Sequence, residues 1–395
     1  MFKRNLIILS IVTICILLLF GLWYTGDTTP EEIVSFQTLQ TGASDCVEQS
    51  NDRTVQGKCF HNLAEKVFDY LSPEDYTQFF QEGLDRRILV NCHEFMHYIG
   101  WKEYRANNDM AESFAKAIPV CNQGMYHGIV EEYIKNIGYD TEKAIPLLTY
   151  DACSTVTKQA TFGSGNVAGL CFHGVGHGFM FITNKNLPQA LDLCDEIPNG
   201  YSASCYTGVY MENLDSKAIG AIVDHPSDYY DPTDPTYPCR ILKPHQQELC
   251  YSYEASDLIN IYPGDIEAWF DACQNFPEAF LDTCYYGIGV NIPAPSIPAS
   301  ETESMCAPAQ KYGLPAYTTC LAGVLSSIGS HYNGQPEAFV TVCNEVAEDA
   351  KSFCYQESGK NLKSWTGAGK TIDDLCAAFK LPDAIQQCRG FIETI

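Results

Sequence analysis

The chain has 395 residues, a formal net charge of -25 and 19 cysteines, and 46% of its residues are hydrophobic. That hydrophobic content excludes a disordered chain, and 49 acidic against 24 basic residues make nucleic acid and anionic membrane surfaces poor partners, because phosphates are held chiefly by Lys and Arg. The length exceeds a single small disulfide knot and suits two or three domains or one repeat array.

In chain order, residues 1–24 stand apart. Lys3 and Arg4 precede an apolar run over residues 6–24, long enough to cross a bilayer, which ends in Leu22-Trp23-Tyr24 rather than the small residues of a cleavage site. This predicts an uncleaved, single-pass signal anchor with its two basic residues cytoplasmic and the rest of the chain extracytoplasmic, in a periplasm or outside the cell. Residues 25–45 read as a tether.

Cysteine arithmetic agrees with export. Setting aside Cys15 inside the anchor leaves an even number, and there are no C-x-x-C knuckles of the kind that hold metal clusters, so disulfides are expected. Spacing does not fix connectivity, but neighbour pairing uses every exported cysteine: Cys46 with Cys59, Cys92 with Cys121, Cys153 with Cys171, Cys194 with Cys205, Cys239 with Cys250, Cys273 with Cys284, Cys306 with Cys320, Cys343 with Cys354, and Cys376 with Cys388. From Cys171 onward the second members advance in steps of 34, 45, 34, 36, 34 and 34 residues. A 34-residue period is that of stacked helical hairpins.

Single units fit this plan. In residues 187–213, Leu191 and Cys194 share a helical face, Pro198 and Gly200 break the helix, and a second helix carries Cys205 and Val209. A glycine follows the second cysteine in CFHG, CYTG, CYYG and CLAG, and reads as ordinary small-residue packing. In period, hairpin plan and one bridge per unit, residues 46–395 resemble cysteine-stapled TPR and Sel1-like repeat proteins. The fold class that follows is all-α: a superhelical array of about nine disulfide-stapled hairpins behind an N-terminal transmembrane helix. The resemblance implies a curved array with a groove, and no chemistry.

The 45-residue step marks an insertion over residues 215–238, where Asp224, Asp228, Asp231 and Asp234 accompany prolines without the spacing of an EF-hand. It divides a His-rich stretch, residues 46–214, from C-terminal repeats over residues 239–395. Residues 291–304 read as a Pro- and Ser-rich connector.

Six of the nine histidines, His61, His93, His97, His127, His173 and His177, fall in the first three units. His93 with His97 and His173 with His177 are spaced by four, which places both imidazoles of each pair on one helix face, able to meet one ion. His127 and His177 each stand six residues after a cysteine, and at the same offset in the next unit stands Met211, followed by Glu212. His93, His97, His127, His173 and His177 are therefore candidate ligands for one or two ions of zinc, iron or copper. Glu94, Glu131, Glu132 and Glu212 are candidate acids, bases or bridging carboxylates, and Tyr98, Tyr126 and Tyr210 candidate hydrogen-bond partners of a bound ligand.

His93-Glu94-Phe95-Met96-His97 also matches HExxH and is similar to the zincin motif, in which two His bind zinc and the Glu is general base; Glu103 stands where metzincins have a third His. The flanking residues 62–71 and 73–84 read as helices, not as the sheet a zincin cleft requires. Three readings result: an anchored extracytoplasmic metalloprotein, with metalloenzyme as its catalytic form; a disulfide-stapled scaffold that binds a protein or glycan; and a zinc metallopeptidase.

Overall fold

The computed structural model describes residues 36–48, 53–85, 92–118, 121, 124–138, 141–154, 167–214, 227–292, 299–332, 334–366 and 370–390. The expected anchor at 1–24, the first part of the tether and Asp224 lie outside these residues. Among the described residues no helix is long and apolar enough to cross a membrane.

The described elements are helical, without a strand. Helices α1 (Phe36–Glu48), α2 (Arg53–Tyr70), α3 (Pro73–Asp85), α4 (Cys92–Asn107), α5 (Met110–Lys116), α6 (Gly124–Ile137) and α7 (Thr141–Pro146) lead into α8 (Val167–Ile182), α9 (Leu187–Asp195) and α10 (Ser202–Leu214). Beyond the insertion come α11 (Pro244–Ile261), α12 (Ile266–Cys273), α13 (Leu281–Asn291), α14 (Ala299–Cys306), α15 (Leu314–His331), α16 (Pro336–Glu345), α17 (Lys351–Lys363), α18 (Ile372–Cys376) and α19 (Pro382–Gly390).

The helix starts are written in the sequence. Asp109, Asn186 and Asp265 accept hydrogen bonds from the backbone N–H groups of Glu112, Gln189 and Ala268, and Thr371 with Asp374 forms a reciprocal capping box. Proline occupies the first turn of α9, α11, α15 and α16, where its missing N–H has no helical partner to lose.

Residues from Leu39 onward form one unit. Within it the longer helices pack in sequence: α2 on α4, α4 on α6, α6 on α8, α8 on α10, α10 on α11, α11 on α13, α13 on α15, α15 on α17, and α17 on α19. The shorter α9, α12, α16 and α18 each pack on the long helix that follows. All nine expected disulfides are present, with Cα–Cα distances of 5.5 to 5.8 Å. In α9–α10, α12–α13, α16–α17 and α18–α19 the bridge joins the end of a short helix to the long one. Closing loops of this size stabilises the fold by about 3 kcal/mol each, in the chain-entropy account. The unit of Cys92 and Cys121 reverses this order: Cys92 opens the long helix α4, and Cys121 lies in the connection before α6 with φ +53°.

Three local readings change. The end of the tether is helical, because Leu39 and Gln40 of α1 are buried and the Gln40 side-chain amide donates to Phe79 O at 2.7 Å. The second half of the Pro/Ser connector is α14, whose Thr302 is buried and bonds back to Ala299 O. The glycines after the cysteines are more than small fillers. A Cβ on Gly208 would lie 1.9 Å from His173 O, on Gly287 2.4 Å from Ser252 O, and on Gly323 2.2 Å from Tyr286 O. These three crossings bring backbone against backbone, which no side chain permits; Gly174 instead meets only a side chain, that of Val130.

Candidate metal centre

The centre is built where α4, α6, α8 and α10 meet. α4 carries His93 and His97, α6 carries His127 and Glu131, α8 carries His173 and His177, and α10 carries Thr207 and Glu212. Glycine sets the approach of α6 to α4: Cβ atoms on Gly124 and Gly128 would fall 2.3 Å from His93 O and 2.1 Å from His97 O. The two backbones therefore touch at the level of the two histidines, and His127, next to Gly128, enters between them and α8. Its ring centroid lies 5.1 Å from that of His93, 5.3 Å from His97, 4.5 Å from His173 and 5.1 Å from His177.

The five histidines form two triads, His93-His97-His127 and His127-His173-His177, and in each the ligand atoms lie within 4.8 Å of one another. Four of the rings are anchored by Nδ1. His93 Nδ1 donates to Cys121 O at 3.0 Å, His97 Nδ1 to Glu131 Oε1 at 2.9 Å, and His177 Nδ1 to Glu212 Oε2 at 3.1 Å. His173 Nδ1 donates to Thr207 Oγ1 at 2.7 Å, because the Thr207 hydroxyl proton is already given to Ser204 O at 2.6 Å. Carbonyl, carboxylate and proton-spent hydroxyl can only accept, so these partners place the proton of each neutral ring on Nδ1 and its lone pair on Nε2.

Those lone pairs face each other. His93 Nε2 and His97 Nε2 are 3.1 Å apart, and His173 Nε2 and His177 Nε2 3.2 Å. Two acceptors at that distance repel unless a cation lies between them. Ligands on a tetrahedral ion with bonds of about 2.0 Å are about 3.3 Å apart, which is the spacing seen in both dyads.

The three rings without a carboxylate partner, His93, His127 and His173, resist a proton. Burial, with His97 beside it, pulls His93 from the ordinary 6.5 down to about 3. Burial and the neighbouring rings take His127 and His173 well below the histidine range. Burial alone would raise the Glu131 carboxyl, but the His97 imidazole against it holds it at about 2. The sign for stability follows. Without metal, the fold keeps these rings neutral while an unfolded chain protonates them below 6.5, so stability is full above that pH and is lost on acidification toward 3. Urea midpoints of the metal-free protein should fall from pH 7 to pH 5; a flat or rising midpoint would refute the burial of neutral imidazoles.

Glu131 and Glu212 are thus engaged at the far nitrogens of His97 and His177. Glu131 also accepts from Trp101 Nε1 at 2.7 Å. Their place is to orient and enrich the imidazoles. Glu132 is turned to Arg105, at 2.7 Å. The side chain of Glu94 lies outside the described residues. Glu103, the metzincin position, is buried with Lys116 at 3.2 Å and Asn107 at 2.6 Å. The Tyr126 hydroxyl donates to Ala117 O and that of Tyr210 to Gln246 O, while the Tyr98 ring packs on Trp101 and stacks on His61. His61 stands apart from the triads, at the surface beside Glu65. In the insertion, Asp231 and Asp234 accept from Thr233 and Thr236, and Asp234 pairs with Arg240. The helix flanks of α4 among the described residues are α2, α5 and α6, with no sheet beside the HExxH.

Thr207, Trp101 and the Cys121 carbonyl were missed in the sequence. The signal for the first was present: His97 to Glu131 and His173 to Thr207 are 34 residues apart and His177 to Glu212 35, one repeat period. Comparison of the chain with known protein families, curated proteins and solved structures finds no match.

Proposed function

We propose that this is an exported, membrane-anchored metalloprotein whose disulfide-stapled helices form a superhelical repeat array, with a first-row transition-metal centre at its N-terminal end held by His93, His97, His127, His173 and His177. The observation that carries the reading is the pairing of inward Nε2 lone pairs at 3.1 and 3.2 Å on rings whose Nδ1 protons are already spent. The donor set is imidazole alone, which suits zinc, copper and iron over magnesium or calcium. Glu131 and Glu212 serve as orienting partners of His97 and His177.

Export is supported by the nine bridges, which persist in oxidising compartments. The array is supported by the ordered packing of each long helix on the next. The anchor rests on the hydropathy of residues 6–24. The second half of the array, from Cys239 onward, keeps the staples and has only His245 and His331, so it serves the centre as scaffold.

A metal that binds only the folded chain stabilises it by about 4 kcal/mol at a thousandfold excess over its dissociation constant. Thermal melts of the disulfide-intact protein should therefore rise with added zinc, copper or iron and return with a chelator. Melts that ignore all three metals would remove the reading.

A further inference from the structure

From the same site, we infer that the centre is dinuclear and that His127 bridges its two ions through both ring nitrogens. The inference rests on the metal reading above and goes beyond it in assigning two ions and a bridging ligand.

The argument starts from numbers of lone pairs. Each helical dyad offers two Nε2 atoms to its own ion, and each triad is completed by the same third residue, His127. One nitrogen lone pair serves one ion, so a ring that completes both triads must use Nδ1 for one and Nε2 for the other. His127 is the ring placed for this. It is 2% exposed, it lies between the dyads, and its Nδ1 is buried with no hydrogen-bond partner. The other four rings each spend Nδ1 on a fixed acceptor, and His127 alone among the five keeps a buried Nδ1 unspent. An orphaned polar atom in the interior is costly unless something unseen by the protein's own groups satisfies it. A second ion does so, and the carboxylates Glu131 and Glu212, one behind each dyad, put a negative charge on either side of the pair.

The ligand class is two divalent ions that prefer imidazole. As the second ion binds, the ring N–H of His127 is lost: its proton passes to solvent, the ring becomes an imidazolate, and no electron is transferred. Ions on the two nitrogens of one imidazole ring lie about 6 Å apart.

Copper(II) is the probe, since two such ions joined by an imidazolate couple their spins. The full-length, disulfide-intact protein is loaded with copper(II) at pH 7.5, freed of excess by gel filtration, and measured for copper content and by electron paramagnetic resonance. The expected result is two coppers per chain, an integrated signal well below the bound copper at low temperature, and a half-field transition. In His127→Ala, content should fall to one copper or none, and the coupling should vanish. One copper per chain in the unaltered protein, or two with full uncoupled signals, overturns the bridge while leaving the metal centre standing. Coupling that persists in His127→Ala overturns it as well. No bound copper or zinc overturns both the bridge and the reading it rests on. The unaltered protein decides the question even if His127→Ala does not fold.

Discussion

Replacing His97 and His177 together by alanine is expected to lower metal affinity by more than about 100-fold at each triad. The reduction is that large because even orienting partners of ligands contribute 10- to 100-fold, and here a ligand and its partner's purpose are lost together. Each dyad would keep a single Nε2, and two neutral nitrogens from different helices do not enclose an ion. The fold should survive the change. Glu131 keeps its bond from Trp101 Nε1, so on that side the variant strands no buried carboxylate, whereas Glu212 loses the Nδ1 donor of His177. A cost of about 1 to 3 kcal/mol for that unpaired group is expected. Competition against a chromophoric chelator measures the affinity, and circular dichroism with non-reducing mass determination verifies the fold. Unaltered affinity in a folded double variant would show that these rings are not ligands.

The second large effect comes from a residue with no donor atom. In Gly128→Ala the new methyl group would sit 2.1 Å from His97 O and 2.8 Å from the His97 Cα, both backbone atoms that no rotamer change can move aside. α4 and α6 must separate, at a cost of about 3 kcal/mol or more. Because three of the five histidines stand on those two helices, the first triad is pulled open although every ligand is retained. Gly390→Ala is the matched control: nothing lies within 4 Å of its Cβ position and its φ is not positive, so helix propensity alone applies and the change should be neutral or slightly stabilising. Equal urea midpoints for the two variants would contradict the close crossing of α4 and α6.

The sequence carried the covalent plan and the membership of the histidine cluster, for physical reasons that differ. A disulfide demands two cysteines about one hairpin apart, so neighbour pairing recovered all nine bridges, the reversed Cys92–Cys121 unit included. The i, i+4 spacing of His93 with His97 and of His173 with His177 fixes a shared helix face before any packing is known. His127 stood out only by its offset from Cys121, and its central position depends on the glycine crossing of α6 with α4, which no local pattern announces. The contacts of Glu131 and Glu212 with His97 and His177 were hidden for the same reason. A carboxylate near a histidine in sequence reads as acid or base, and only the interhelical distances show that each of these carboxylates meets its ring at Nδ1. Thr207 is a threonine like any other until the 34-residue step to His173 is laid beside it.

The most direct test is the metal content of the full-length protein, produced in an oxidising compartment with neither polyhistidine tag nor chelator and assayed by plasma mass spectrometry. The account predicts stoichiometric zinc, copper or iron that co-purifies with the folded chain, about two ions per molecule. A disulfide-intact chain that retains none of these metals, even after reconstitution, would contradict it.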